Sequence, residues 1–421
     1  MFSRFLVLFT KFNTFIKASS LKQFLKSDVL LVRHDADCGY SFDNVAYSPL
    51  IDSIVELCKK HNLSALSVAT PYSQLTENDA YNHPLSVNRY FFKIALFGLV
   101  LKYVIGAKSA FVWKQRQREN FWESILERVQ PKLVIGIHPE PELCGAAAKL
   151  GIPSYDLQHG VVAIEHWPYA KTTPVGTLTK MPTGFLCWDE PNALQVTQWA
   201  QRFGASVNVS GHPWFERFRN SASEDRLVQE NLAAIACFKS NKIKVLVSLQ
   251  WGLHLHYYTD GNFNKVMCKP LETVIKKTGD RVNWFLRLHP VQIRGDEGKA
   301  CLDYLNETFG HCDWVEWTEA TRLPLPIVLS QSDLHITDMS SVVIEASWFN
   351  VPSALLNPFI KKGQRLEGLY SAQIDAGIAT LVEQSEIDII NWINAKSDFR
   401  RSASKHSDAT NRFEDWLLKQ F

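Results

Sequence analysis

The chain has no CxxC pair among its eight cysteines, no surplus of basic charge, no internal repeat and no uncharged apolar run long enough to span a bilayer. Each absence excludes something. Cys38, Cys58, Cys144, Cys187, Cys237, Cys268, Cys301 and Cys312 are spaced too widely for a zinc cage or a compact disulfide framework, and read as buried free thiols of a reducing cytoplasm. Forty-five Lys and Arg against 43 Asp and Glu leave +2, too little to neutralise a phosphate backbone, so nucleic acid is not the expected partner. A spanning helix needs about 20 largely uncharged residues. Residues 90–107 come nearest, but Lys93 and Lys102 interrupt them, and they read as a buried or interfacial helix. With no repeat, a solenoid is excluded. With 46% hydrophobic residues, so is disorder over the bulk of the chain.

What is there suits two or three globular domains in 421 residues. Thirteen Trp and 25 Phe fit deep cores, a sugar-stacking surface or a membrane-facing patch. Near the start, Phe5, Leu8, Phe9, Phe12 and Ile16 recur at helical spacing with Arg4, Lys11 and Lys17 between them. That pattern suits an amphipathic helix on a membrane surface, or one packed on its own domain.

Short apolar strands are expected at 29–32, 65–69, 133–137, 152–157, 184–188 and 207–209, alternating with helices at 47–60, 121–129, 141–150 and 193–203. The plan repeats with strands at 244–249, 284–288, 313–317, 334–337 and 353–356, helices at 270–278 and 342–349, and a helical tail over 387–421. Gly151 should cap the 141–150 helix, and strand, helix and strand in such quick succession make a βαβ unit of a parallel sheet. The expectation is an α/β protein of two Rossmann-like, doubly wound domains facing a cleft. Its divisions are 1–215, 216–385 and a tail, 386–421, that packs back on the first domain.

Ligands of such sheets bind beyond the carboxyl ends of the strands, where the polar punctuation of this sequence gathers. Gln158, His159 and Gly160 end one strand. There a histidine can work near neutrality and a glycine, with positive φ, can bring backbone close to a ligand. The alternative is a histidine bonded to a neighbouring loop. Arg287 and His289 share a face at another strand end, stopped by Pro290, and could hold a phosphate. Ser340 and Ser341 open a helix and offer an anion site or a plain N-cap. Glu345, four residues after Ser341, misses capping-box spacing and could accept from a ribose diol. Gln250 lies in a loop at the same edge. Arg33, His34, Asp35 and Asp37 make a polar loop after the first strand. Its DxD spelling follows too little chain for a metal–nucleotide site, so it reads as acceptor recognition or loop structure. His254 and His256 have no acidic or cysteine partner near enough to suggest a metal, and the 211–213 Gly-His-Pro reads as part of a linker over 210–220.

These residues together resemble a GT-B type glycosyltransferase of bacterial surface polysaccharide, capsule or lipopolysaccharide, synthesis. The resemblance spans residues 130–360 through "LGIPSYDLQHG", "VSGHP", "LRLHP" and "TDMSSVVIEA". It is similar to polysialyltransferase-like and Kdo-transferase-like enzymes and to teichoic-acid glycerophosphotransferases. The resemblance implies donor-nucleotide roles for His289, Pro290, Ser340 and Ser341. A cytoplasmic enzyme is expected, peripheral on the inner membrane if the helix of residues 1–17 lies on lipid and not on its own domain. Where sialyl- and Kdo-transferases carry an acidic residue before a glycine, this chain has His159 before Gly160, as in the glycerophosphotransferases. The expected reaction is therefore metal-independent, cofactor-free and inverting, with His159 as base, a nucleotide-sugar donor and a glycan or glycolipid acceptor. A nucleotide-sugar 2-epimerase, using Glu140, Glu142 and Glu165, and a silent scaffold of polysaccharide assembly are the alternatives.

Overall fold

The computed structural model describes residues 18–160, 180–219, 225–234, 241–258, 263–264, 266–293, 295–397 and 412–421. The amphipathic segment 1–17, Cys237 and Glu165 lie outside them. The chain divides into two compact units, Met1–Arg217 with Thr410–Phe421, and Phe218–Ala409.

The first unit is built on a six-stranded parallel sheet in the order β4-β1-β5-β6-β7-β8. These strands are β1 (Val29–Arg33), β4 (Ala65–Ala69), β5 (Leu133–Gly136), β6 (Ser154–Leu157), β7 (Gly184–Cys187) and β8 (Ser206–Val209). A hairpin of β2 (Tyr40–Phe42) and β3 (Val45–Tyr47) follows β1. The helices are α1 (Pro49–Lys60), α2 (Asn88–Ile105), α3 (Ala107–Val129), α4 (Pro141–Lys149), α5 (Glu190–Ala200) and α6 (Pro213–Arg219). β1 is buried at all five positions, as expected of a strand covered on both faces. Leu30, Val32 and Val134 face a core with Phe91, Trp122 and Leu126, while Val29, Leu31 and Ile135 face another with Ile51 and Ile54. Gly151 ends α4 at φ +69°. The Ile152 N–H reaches Ala147 O at 2.9 Å and the Gly151 N–H reaches Ala148 O at 3.2 Å, a Schellman closure that turns the chain straight into β6.

The second unit repeats the plan in the order β11-β10-β9-β12-β13-β14, all parallel. Its strands are β9 (Ile243–Ser248), β10 (Val282–Arg287), β11 (Val315–Glu316), β12 (Leu334–Thr337), β13 (Ser353–Leu355) and β14 (Ala379–Leu381). Its longer helices include α7 (Lys269–Lys277) and α8 (Gly295–Phe309), and the short α9 (Val342–Trp348) follows β12.

The expected single tail is divided. The helix α10 (Glu386–Ser397) packs Ile389, Trp392 and Ile393 into the second unit's own core. Only α11 (Arg412–Leu418) joins the first unit, through Phe413, Trp416 and Leu417. Apolar residues at helical spacing occur in both segments, and only the three-dimensional core decides which sheet each one covers.

Gly211, after β8, has φ +77°, and a Cβ there would collide with the Glu216 carboxylate. Both Glu216 oxygens accept the Phe413 N–H at 3.2 Å, so this glycine protects the joint that seats α11. Gly211→Ala is expected to cost the first unit about 1–3 kcal/mol, read as increased hydrogen exchange in α11 peptides. Unchanged protection there would refute the assignment.

Candidate functional site

In both sheets the strand order reverses at one point, between β1 and β5 in the first and between β9 and β12 in the second. Open α/β sheets place their ligand crevice at the carboxyl ends flanking such a switch. His34 follows β1, His138 follows β5 and His159 follows β6. Their rings form a row, with centroids 6.2 Å apart for His34–His138 and 4.5 Å for His138–His159, both edge to face. Behind them stands the buried Asp156. Its Oδ1 accepts the His138 N–H at 2.9 Å, and its Oδ2 lies 3.6 Å from His138 Nδ1.

His138 sits at φ +49°. A left-handed, non-glycine residue costs about 1–2 kcal/mol, and backbone strain of this kind gathers at functional sites. Asp156, by accepting the His138 N–H, holds the strained backbone in place and turns the imidazole toward His159. His34 Nδ1 accepts the Ala36 N–H at 3.1 Å, so its neutral ring carries the proton on Nε2. Burial, and then the neighbouring His138, hold its pKa below the ordinary value.

Neither His138 nor Asp156 stands out in the sequence reading, although a signal exists. Ile137-His138-Pro139 repeats the strand–His–Pro punctuation seen at Leu288-His289-Pro290.

Several expected site residues have structural work instead. Gln158 is buried; its Nε2 donates to Gly160 O at 2.8 Å and its Oε1 accepts the Trp188 N–H at 2.9 Å. It braces the exits of β6 and β7, and the catalytic reading of it is corrected to one of positioning. Gly160 is outside the left-handed region, and no described atom comes near the place of a Cβ, so the expected positive-φ exit does not form.

Arg33 is wholly buried in an ion pair with Asp52 at 3.3 Å. It also donates to Tyr81 O at 3.0 Å and Ala46 O at 2.6 Å. Asp37 accepts from the Ser48 hydroxyl and from the Leu50 N–H at the start of α1, and burial pushes its carboxyl up to about 7. Asp35 turns the other way, to the Ser73 hydroxyl at 2.5 Å. Of the four polar residues expected in this loop, only His34 faces the histidine row, since its charged neighbours secure the loop itself. Among the described residues no three His, Cys, Asp or Glu side chains are grouped to hold a metal ion. The seven described cysteines are buried thiols outside any disulfide.

In the second unit, Gln250 Oε1 accepts the Met339 N–H at 2.7 Å and ties the two loops flanking the switch. Its expected donor contact is corrected to this brace. Arg287 Nη1 donates to Ala320 O at 2.6 Å and Leu323 O at 2.7 Å, which makes it an anchor for the Thr318–Arg322 helix and corrects its reading as a phosphate ligand. Pro290 opens a short turn, Pro290–Ile293. The His289 N–H donates to Gln292 Oε1, and its Nδ1 accepts the Val291 N–H at 3.2 Å. Desolvation holds the His289 pKa below its usual value. The Ser340 hydroxyl accepts the Val342 N–H at 3.4 Å, a long N-cap. Ser341 makes no side-chain cap, so its hydroxyl is not committed to the helix. Glu345 is buried beside Tyr370, whose phenol pKa is raised by burial first and by the glutamate second.

No family model matches the sequence, and no match to a curated protein was found. Solved structures do match along nearly the whole chain. The UDP-GlcNAc 2-epimerase of Methanocaldococcus jannaschii is 11% identical, over 93% of this chain and 98% of its own, with a TM-score of 0.57. The wall teichoic acid polymerase TagF is 12% identical, over 97% and 92%, with a TM-score of 0.55. The UDP-GlcNAc 2-epimerase of Neisseria meningitidis, solved with UDP-GlcNAc, is 13% identical, over 93% and 98%, with a TM-score of 0.54. At such identities the likeness is one of architecture, and the chain has the GT-B-like fold of two parallel-sheet units.

Proposed function

We propose that the protein is a glycosyltransferase that moves a sugar from a nucleotide-activated donor to a hydroxyl of a growing surface glycan or glycolipid. The observation that carries this reading is the His159–His138–Asp156 arrangement at the carboxyl edge of the first sheet. In the proposed step, His159 takes the acceptor hydroxyl's proton as that oxygen attacks the anomeric carbon. The bond from that carbon to the phosphate oxygen breaks, and the nucleotide leaves with the electron pair, inverting the centre. In the second unit, His289 and the hydroxyls of Ser340 and Ser341 would hold the nucleotide phosphate. The reaction is proposed to need no metal and no resident cofactor.

The 2-epimerase alternative is favoured by the fold neighbours that bear that name. Against it, Glu140 accepts from Trp122 Nε1 at 3.0 Å and so points into the helical layer. Acceptor dependence separates the two readings, because an epimerase consumes no acceptor.

The test of the donor site is a melting-temperature panel of CMP, CDP, UDP, GDP and ADP, with and without chelator. One nucleotide at a hundredfold excess over its Kd should stabilise the chain by about 2.7 kcal/mol, and the gain should vanish in Ser341→Ala with His289→Ala. No stabilisation by any nucleotide would sink the transferase and epimerase readings alike and favour a silent scaffold.

A further inference from the structure

The two helices α2 and α3 form an antiparallel hairpin hinged at Gly106, and no described residue covers its far end. Leu96, Phe97, Val100, Tyr103 and Val104 are all at least half exposed, with Tyr103 at 82% and Val104 at 74%. Their spacing of one, three and four residues places them on one face of α2. That face lies away from Gly98, which is buried against the Lys114 stem on α3. Phe111 and Val112, just past the hinge on α3, are also more than half exposed. An exposed apolar helix face of this size marks a docking site.

The charge around it selects the occupant. Between Asp79 and Glu119 the sequence has no acidic residue, but it has seven lysines and arginines. Lys93, Lys102 and Lys108 are exposed beside the apolar face. A second copy docking here would bring like charges together. A lipid surface with anionic headgroups would meet both features, with the apolar tip in the acyl boundary and long basic side chains reaching the phosphates. No helix among the described residues is long and apolar enough to cross a membrane, so the hairpin would dip into one leaflet and not span it.

We infer that the α2–α3 tip is a peripheral docking surface for an anionic bilayer. It is separate in sequence from residues 1–17 and independent of the catalytic reading.

The experiment is flotation of the full chain with vesicles of phosphatidylcholine, with and without phosphatidylglycerol. The wild-type chain should float with the anionic vesicles at low salt. Phe97→Ser with Val100→Ser and Val104→Ser should weaken binding about tenfold or more, and Lys102→Gln with Lys108→Gln should do so only where phosphatidylglycerol is present. These positions are exposed, and an unchanged melting temperature would show that the variants fold. If the triple variant floats like wild type, or the wild-type chain ignores anionic vesicles, the inference fails. Self-association of the wild-type chain that the triple variant loses, without vesicle binding, would assign the face to a second copy instead.

Discussion

Replacing His159 with alanine is expected to lower the rate of sugar transfer by about 10²–10⁴-fold, the usual contribution of a positioned general base. Nucleotide binding should be unaffected, because the groups proposed to hold the phosphate belong to the other unit. Steady-state transfer to a hydroxyl acceptor, together with the nucleotide's effect on melting, separates the two quantities. Asp156→Asn tests the support behind the base. It keeps the shape and an oxygen to accept the His138 N–H, but it removes the negative charge behind the row of rings. It should reduce turnover by a smaller factor than His159→Ala does, measured in the same transfer assay. Full turnover in His159→Ala would discard His159 as base. Loss of nucleotide binding in the same variant would mean that the division of labour is wrong.

The second large effect belongs to Arg33. Replacing it with methionine should destabilise the first unit by about 3–5 kcal/mol, the cost of leaving one member of a buried ion pair without the other. Asp52 is as fully buried as Arg33, and it also accepts the Ser48 N–H at 2.7 Å. Burial already pushes the Asp52 carboxyl up to about 6, although Arg33 pulls it down. Without the guanidinium its folded pKa must rise further. A carboxyl whose folded pKa lies above its unfolded value contributes stability that is present below the unfolded pKa and is lost as pH rises through the folded one. The deficit of Arg33→Met should therefore be small near pH 4 and grow toward pH 8. Hydrogen exchange in β1 and α1 peptides reads this locally, which matters because two units need not unfold together. A deficit that is the same at both pH values would show that the lost carbonyl contacts, and not the stranded carboxylate, set the cost.

Those two residues also mark how far the sequence could be read. The strands were legible because a sheet covered on both faces demands short apolar runs, and Val29–Val32 or Leu133–Ile137 can be little else. The strand-to-helix turn at Gly151 was legible because glycine closes helices. His159 was reached from its place at a strand end. For Arg33 the sequence leaves acceptor recognition and loop structure both open, because a charged residue ending an apolar strand looks like a site and its partner Asp52 lies on a helix marked mainly by its apolar face. Gln158 was misread because a strand end does not tell which neighbouring loop a side chain will brace. His138 was missed because its strain and its contact with Asp156 arise only when β5 and β6 pair, with Gly136 opposite Asp156. The helix expected at 121–129 is the C-terminal end of the longer α3, whose polar upstream residues hid its extent.

The seating of α11 in the first core has a consequence for synthesis. Phe413, Trp416 and Leu417 fill a layer with Leu31, Ile51 and Ile135, yet the whole second unit is made between those two sets of residues. On the ribosome, the first sheet must wait with that apolar layer open while the second unit emerges and folds in its own right. Vectorial synthesis thus finishes the earlier domain last, and the nascent first half is the stage at which a chaperone would have most to cover.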